Sequence, residues 1–242
     1  MTLLVIALGP VFIIAAYIYF RDKYEKEPVY LLLLSLLAGA LITVPIAIVE
    51  SLLSGLSVNF EGLLKPAWHA FAVAGFTEEF FKYLAMYILI WRSREFNEKF
   101  DGIVYAVFIS LGFAGVENVM YVVESGETTG LIRAFTAVPA HTIFGITMGF
   151  YFGYAKFSLK NQTAWKIKAL IYPVFLHGVY DFILMSGINW LVIFFIVFII
   201  YLYIKGLKKI KSLSYESVYR TDYKLLEQKL NNWTNETGHS TD

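Results

Sequence analysis

The stretch AWHAFAVAGFTEEFFKYLAMYILIW (residues 67–91) decides the fold. It is apolar enough and long enough to cross a bilayer core, which needs about 20 mostly apolar residues. Yet Glu78, Glu79 and Lys82 lie in its middle. Placing one charge near the bilayer centre costs about 2.5–3.5 kcal/mol on insertion scales. A chain tolerates three ionisable groups there only if they meet one another, other polar side chains or water.

Composition agrees with a membrane setting. The 242 residues are 58% hydrophobic and 18% aromatic but only 16% charged, a mix that soluble domains seldom show. The length suits one helix bundle. A net charge of +1 gives no reason to expect nucleic acid as a partner. The absence of cysteine excludes disulfides, thiolate metal sites, a cysteine nucleophile and palmitoylation.

Apolar runs predict seven spans, at 2–20, 29–53, 67–91, 102–123, 133–153, 169–185 and 190–204. The first has no basic residue before it and RDKYEKE after it, the reverse of a cleavable signal peptide, so it reads as an uncleaved span. The loops after the first, third and fifth spans carry three, three and four Lys/Arg, and the tail after Tyr203 carries seven. The alternate loops carry Lys65, Arg133 and none. By the positive-inside rule the N-terminus faces out and the C-terminus faces the cytoplasm. The expected fold is therefore all-α, a polytopic transmembrane helix bundle of about seven spans. Residues 1–205 form the membrane domain, and 206–242 form a basic cytoplasmic tail lying along anionic headgroups. Gly145, Gly149 and Gly153 recur every fourth residue and predict close helix packing. Pro45 and Pro139 are expected to bend their helices. In the tail, His239 reads as inert. The glycosylation patterns at 232–234 and 235–237 are discounted because they fall on the cytoplasmic side.

The other intramembrane ionisable residues are Glu50, Glu117, His141, His177 and Asp181. Glu78 and Lys82 are one turn apart and can pair, whereas Glu79 lies about 100° around the helix and is expected to face elsewhere. His177 and Asp181 also share a face, so the carboxylate can orient the imidazole. Asn118 beside Glu117 supplies a neutral donor and acceptor. At about 1.5 Å per residue, Asp181 lies about 6 Å from the outer end of its span, Glu117 about 9 Å, the two histidines about 12 Å and Glu78/Glu79 about 18 Å. Four helices of alternating direction thus place polar groups between midplane and outer surface, which predicts one polar cavity opening outward. Simpler readings stand beside this one. Glu78 with Lys82 can be a structural ion pair, His141 a hydrogen-bonded core residue, Glu50 a solvated rim residue and His69 an interfacial anchor.

Several chemistries are missing their signatures. There is no Gly-x-Ser-Gly helix start of a rhomboid-type serine protease, no second membrane aspartate beside Asp181, and no His-Glu-x-x-His zinc motif. Glutamates with histidines suit water-mediated hydrolysis, a carboxylate taking a proton from water and a histidine assisting the oxyanion or leaving amine. A proton or ion relay uses the same residue types and stays open.

The blocks EEFFK (78–82), FAGVEN (113–118), PAHTIFG (139–145) and LHGVYDF (176–182), with YEKEP (24–28), resemble the motifs of the PrsW family of bacterial membrane proteases, itself related to CAAX-type prenyl endopeptidases. The likeness covers roughly residues 9–210. It implies a multi-pass protein of the bacterial cell membrane that makes the first, extracytoplasmic (site-1) cut in a single-pass membrane anti-sigma factor, starting the proteolysis that frees a sigma factor. Carried over by motif, Glu78 and Glu79 form the leading catalytic pair, and Glu117, His141, His177 and Asp181 complete the site, with Lys82 and Asn118 in support. The CAAX-type relatives have histidine where this chain has Glu117 and asparagine where it has Asp181, so mechanism does not carry over one for one. The reading favours a metal-independent glutamate mechanism, with zinc on Glu79, Glu117, His141, His177 and Asp181 as the alternative. CAAX-type prenyl-protein cleavage is a further alternative.

Overall fold

The computed structural model describes residues 2–158, 160–221, 224–226, 228–229 and 232. His239 and most of the two glycosylation patterns lie outside them. Helices follow one another as α1 (Thr2–Arg21), α2 (Val29–Leu41), α3 (Thr43–Gly55), α4 (Leu64–Trp68), a π-helical segment (His69–Phe76), α5 (Thr77–Ile90), α6 (Lys99–Phe135), α7 (Ala137–Phe157), α8 (Gln162–Met185) and α9 (Leu191–Tyr215). Among the described residues there is no strand. Helix covers each of the seven expected segments. Four stretches have the length and composition to cross a membrane: Leu3–Arg21, Val29–Gly55, Lys99–Phe157, which contains α6 and α7, and Gln162–Met185.

Proline accounts for two of the breaks. A helical proline clashes with the carbonyl four residues earlier. α2 stops at Leu41, four before Pro45, and α6 stops at Phe135, four before Pro139. Helices α8 and α9 run past the limits set by apolar runs. Lys166 and Lys168 extend α8 toward its start by laying their stems on rings, their ammonium groups 4.1 Å from Trp91 and 4.2 Å from Trp165 respectively. α9 continues across the expected boundary at 205 because Ile210 and Leu213 remain buried.

α6 is the centre of the bundle. Every residue from Phe100 to Gly115 is buried, the pattern of a helix surrounded on all sides. It packs on α1, α2 and α7. The α6–α7 seam is glycine-lined as expected. A Cβ on Gly149 would lie 2.1 Å from the Gly102 carbonyl oxygen, and one on Gly153 would lie 2.4 Å from that of Lys99.

The two ends of the bundle differ. At the α1–α2 end, the Glu98–Asp101 capping box starts α6. Tyr105 donates to Glu27, and Asn97 Nδ2 donates to Glu25 at 2.8 Å. Burial pushes the Asp22 and Glu27 carboxyls up to about 7. This acidic knot ties the YEKEP loop to α6. The polar cavity lies toward the opposite end.

Candidate active site

The π-helical segment prepares the site. Its wider turn lets Thr77 Oγ1 donate to Ala72 O, five residues back, at 3.2 Å. Within it, a Cβ on Gly75 would lie 3.1 Å from Gly178 N, so the backbone here runs close against α8 beside His177. That approach sets the start of α5, with Glu78 and Glu79, against His177.

Lys82 gathers the cluster. Its Nζ donates to Glu79 Oε1 at 2.8 Å and to Glu78 Oε2 at 3.1 Å. The expectation that Glu79 faces away from Glu78 is therefore corrected. Residues three and four positions back both lie within reach of one long side chain, so Lys82 draws the two carboxylates to one point. Nζ also lies 3.2 Å from His141 Nδ1 and 4.2 Å from the Phe113 ring centroid. An ammonium only donates, so His141 Nδ1 presents its lone pair and the ring proton sits on Nε2. That nitrogen donates to Glu117 Oε2 at 3.0 Å.

His177 repeats the arrangement. Its Nδ1 lies 3.1 Å from Glu79 Oε1, and its Nε2 lies 3.2 Å from Asp181 Oδ2. Each histidine thus turns Nδ1 toward the glutamate pair and Nε2 toward an outer carboxylate. Phe144 stacks on His177 with ring centroids 4.9 Å apart and fixes its plane. The expected orienting role of Asp181 matches this geometry. Glu117 and Asp181, ligands in the alternative zinc reading, both stand behind the histidines, on the nitrogens away from the centre.

One donor atom each from Glu78, Glu79, His141 and His177 falls within 4.8 Å of the others, and all four residues are buried. Carboxylate and imidazole are the donors zinc takes, and carboxylates behind ligating histidines set their tautomer and raise their basicity. Glu79 Oε2 is buried with no hydrogen-bond partner among the described residues, so a donor remains free for a cation. The donor set fits a metal ion.

A cavity of about 410 Å³ reaches this cluster. Glu78, Glu117, His141, His177 and Asp181 line it, and Glu79 and Lys82 lie behind its wall. Ser54 near the end of α3, Tyr121 and Arg133 of α6, and Met185 at the end of α8 place it toward one end of the bundle, as the depth pattern anticipated.

Asn118, expected in support, is not among the residues that line the cavity. Its Nδ2 donates to Ala7 O at 3.0 Å, joining α6 to α1. Glu50 and His69, read from sequence as rim and anchor, both line the cavity. His69 also meets Ser57 Oγ at 2.9 Å. Arg133 is a residue that sequence reasoning missed. In sequence it reads as an ordinary loop charge, yet its Nη2 lies 2.8 Å from Glu117 Oε2 and its guanidinium stacks on Tyr121 at 3.7 Å.

Residues 27–204 match the family described as PrsW family intramembrane metalloprotease. Protease PrsW of Geobacillus kaustophilus is 38% identical over 184 residues, covering 76% of this chain and 80% of that protein. Protease PrsW of Clostridioides difficile is 37% identical over 215 residues, covering 86% and 90%. That of Bacillus subtilis is 35% identical over 205 residues, covering 84% and 92%. No solved structure matches. With its glutamate pair and two histidines gathered in one buried cluster among apolar helices, this multi-pass membrane chain belongs to the PrsW family of intramembrane proteases, and is a peptide hydrolase.

Proposed function

We propose that this protein makes the site-1 cut in a single-pass, membrane-anchored anti-sigma factor, on the extracytoplasmic side of the bilayer. One observation carries the reading: Glu78 and two histidines, each backed by a carboxylate, converge on a cavity toward one end of the bundle. Charge counts of the loops, with seven spans and the N-terminus outside, support an extracytoplasmic mouth.

The residues divide by access. Glu78 lines the cavity and can take a proton from water beside a bound peptide. Glu79 is fully buried and serves to hold Lys82 and His177 in place. His177, held by Asp181 on its far nitrogen, keeps its Nδ1 facing the glutamates. His141 keeps its Nε2 proton on Glu117, which leaves its Nδ1 lone pair facing the centre. Glu78, Glu79, His141 and His177 would hold the metal of this metalloprotease family, with zinc the ion best suited to their donors. When bound, such an ion supplies Lewis acidity for activating water and polarising the scissile carbonyl.

The test uses purified full-length protein in liposomes with a single-pass anti-sigma factor. Wild type should cut it at a position that mass spectrometry places on the extracytoplasmic side, and Glu78→Gln should leave it whole. Cleavage mapped to the cytoplasmic side, or of a prenylated C-terminus only, would replace this reading with the CAAX-type one. Proton flux without cleavage would replace it with a relay.

A further inference from the structure

Lys82 is fully buried, and its ammonium has a built site of its own. Around Nζ stand Glu79 Oε1 at 2.8 Å, Glu78 Oε2 at 3.1 Å, His141 Nδ1 at 3.2 Å and the face of Phe113 at 4.2 Å. The first three belong to three of the four residues that could hold a metal ion. A metal bonds to carboxylate oxygen or imidazole nitrogen at about 2.0–2.2 Å. An ion held by these same three atoms would compete with Nζ for them. Two positive centres in contact, with no water between them, repel strongly.

We infer that the Lys82 ammonium and a divalent metal ion exclude each other at Glu78, Glu79 and His141, so that metal uptake requires the ammonium to leave this position. The inference rests on the metal reading above and adds to it a residue that sets metal occupancy. Lys82 is a positioning residue. It holds two buried carboxylates together that would otherwise repel, and it keeps the His141 lone pair aimed at the centre. That same lone pair is the one a metal needs, so His141 changes partner without changing tautomer, and its Nε2 proton stays on Glu117.

Co²⁺ binding to purified full-length protein in detergent, followed by visible absorption, tests the exclusion. Wild type, Lys82→Met, Lys82→Gln and Lys82→Arg are compared at one pH, with circular dichroism to show that each retains its helices. The two neutral variants should bind Co²⁺ at least about tenfold tighter than wild type, the scale on which a neighbour of the ligands tunes affinity. Lys82→Arg keeps the charge and should not. Adding His177→Ala to Lys82→Met should remove the gain. Binding by both neutral variants that is equal to or weaker than wild type overturns the inference, and so does an absence of Co²⁺ binding by every chain. The Lys82→Gln amide can still donate to Glu79, so it serves if Lys82→Met does not fold. Substrate cleavage is scored separately, so failure of the protease reading leaves the metal titration standing.

Discussion

Arg133 Nη2 lies 2.8 Å from Glu117 Oε2, although sixteen residues separate the two within α6. In a straight helix that interval spans about 24 Å. The chain therefore doubles back between them, and the turn is at Gly126, with φ 82° and ψ −179°. This conformation is open in practice only to glycine. The returning segment lays Arg133 over Tyr121 and delivers a cation to the carboxylate that holds His141. A glycine outside the cavity thus brings Arg133 onto Glu117.

Gly126→Ala should cost about 1–3 kcal/mol of local strain and separate Arg133 from Glu117. A Cβ there meets no neighbour, so the backbone conformation alone is at issue. Cleavage should fall with Gly126→Ala and with Arg133→Gln to a similar degree. Wild-type activity and an unchanged melting temperature for Gly126→Ala would remove the turn from the account.

The two glutamates should fail differently. Glu78→Gln removes a proton acceptor on the cavity wall and should lower the cleavage rate by about 10²–10⁴-fold with little change in melting temperature. Glu79→Gln breaks the shortest contact of a fully buried ion pair, so it should cost about 3–5 kcal/mol of stability in addition to activity. Rates and thermal unfolding, measured on the same detergent preparations, separate the two. Equal stability losses would contradict the division of roles drawn from cavity access.

Much of this site was legible because membranes penalise buried charge. Glu78, Glu79, Glu117, His141, His177 and Asp181 stand out from apolar text, and rise per residue alone places them at related depths. Helix periodicity also paired His177 with Asp181. Periodicity failed where a long side chain overrides it, as Lys82 does for Glu79. It failed again for Asn118, since adjacency to Glu117 in sequence means about 100° of rotation on a helix, here toward α1. Arg133 was invisible because its place depends on a helix reversal, and a lone glycine in SGETTG carries no direction. The lengths of α8 and α9 exceed the apolar runs because lysines look like span ends, whereas Lys166 and Lys168 lay their stems on rings and Ile210 and Leu213 stay buried beyond Lys205.

The glycine seam should be intolerant of added volume. Gly149→Val would drive a Cβ into the Gly102 carbonyl, and overpacking of this kind costs about 1–3 kcal/mol or more. Because α7 carries His141, the shift should also weaken cleavage. Gly9→Ala, where a Cβ meets nothing, should change melting by no more than about 0.5 kcal/mol in equivalent stability. Comparable melting of the two variants would show that the α6–α7 contact is looser than the structure describes.

Asp181 joins the metal question to the histidine geometry. Its Oδ2 accepts from His177 Nε2 at 3.2 Å, which leaves Nδ1 to face the glutamates. Asp181→Asn keeps an oxygen acceptor but loses the charge that raises the ring's basicity, so metal affinity should fall by about 10–100-fold. Asp181→Ala loses both and should bind more weakly still. Glu117→Gln should act on His141 in the same way. The measurement is cleavage rate for wild type and each variant, with chelator and then with graded zinc. Wild type should lose activity on chelation and recover it with zinc, and Asp181→Asn should need more zinc to recover. Full wild-type activity in chelator would instead assign water activation to Glu78 alone, and Asp181 would then matter only for the orientation of His177.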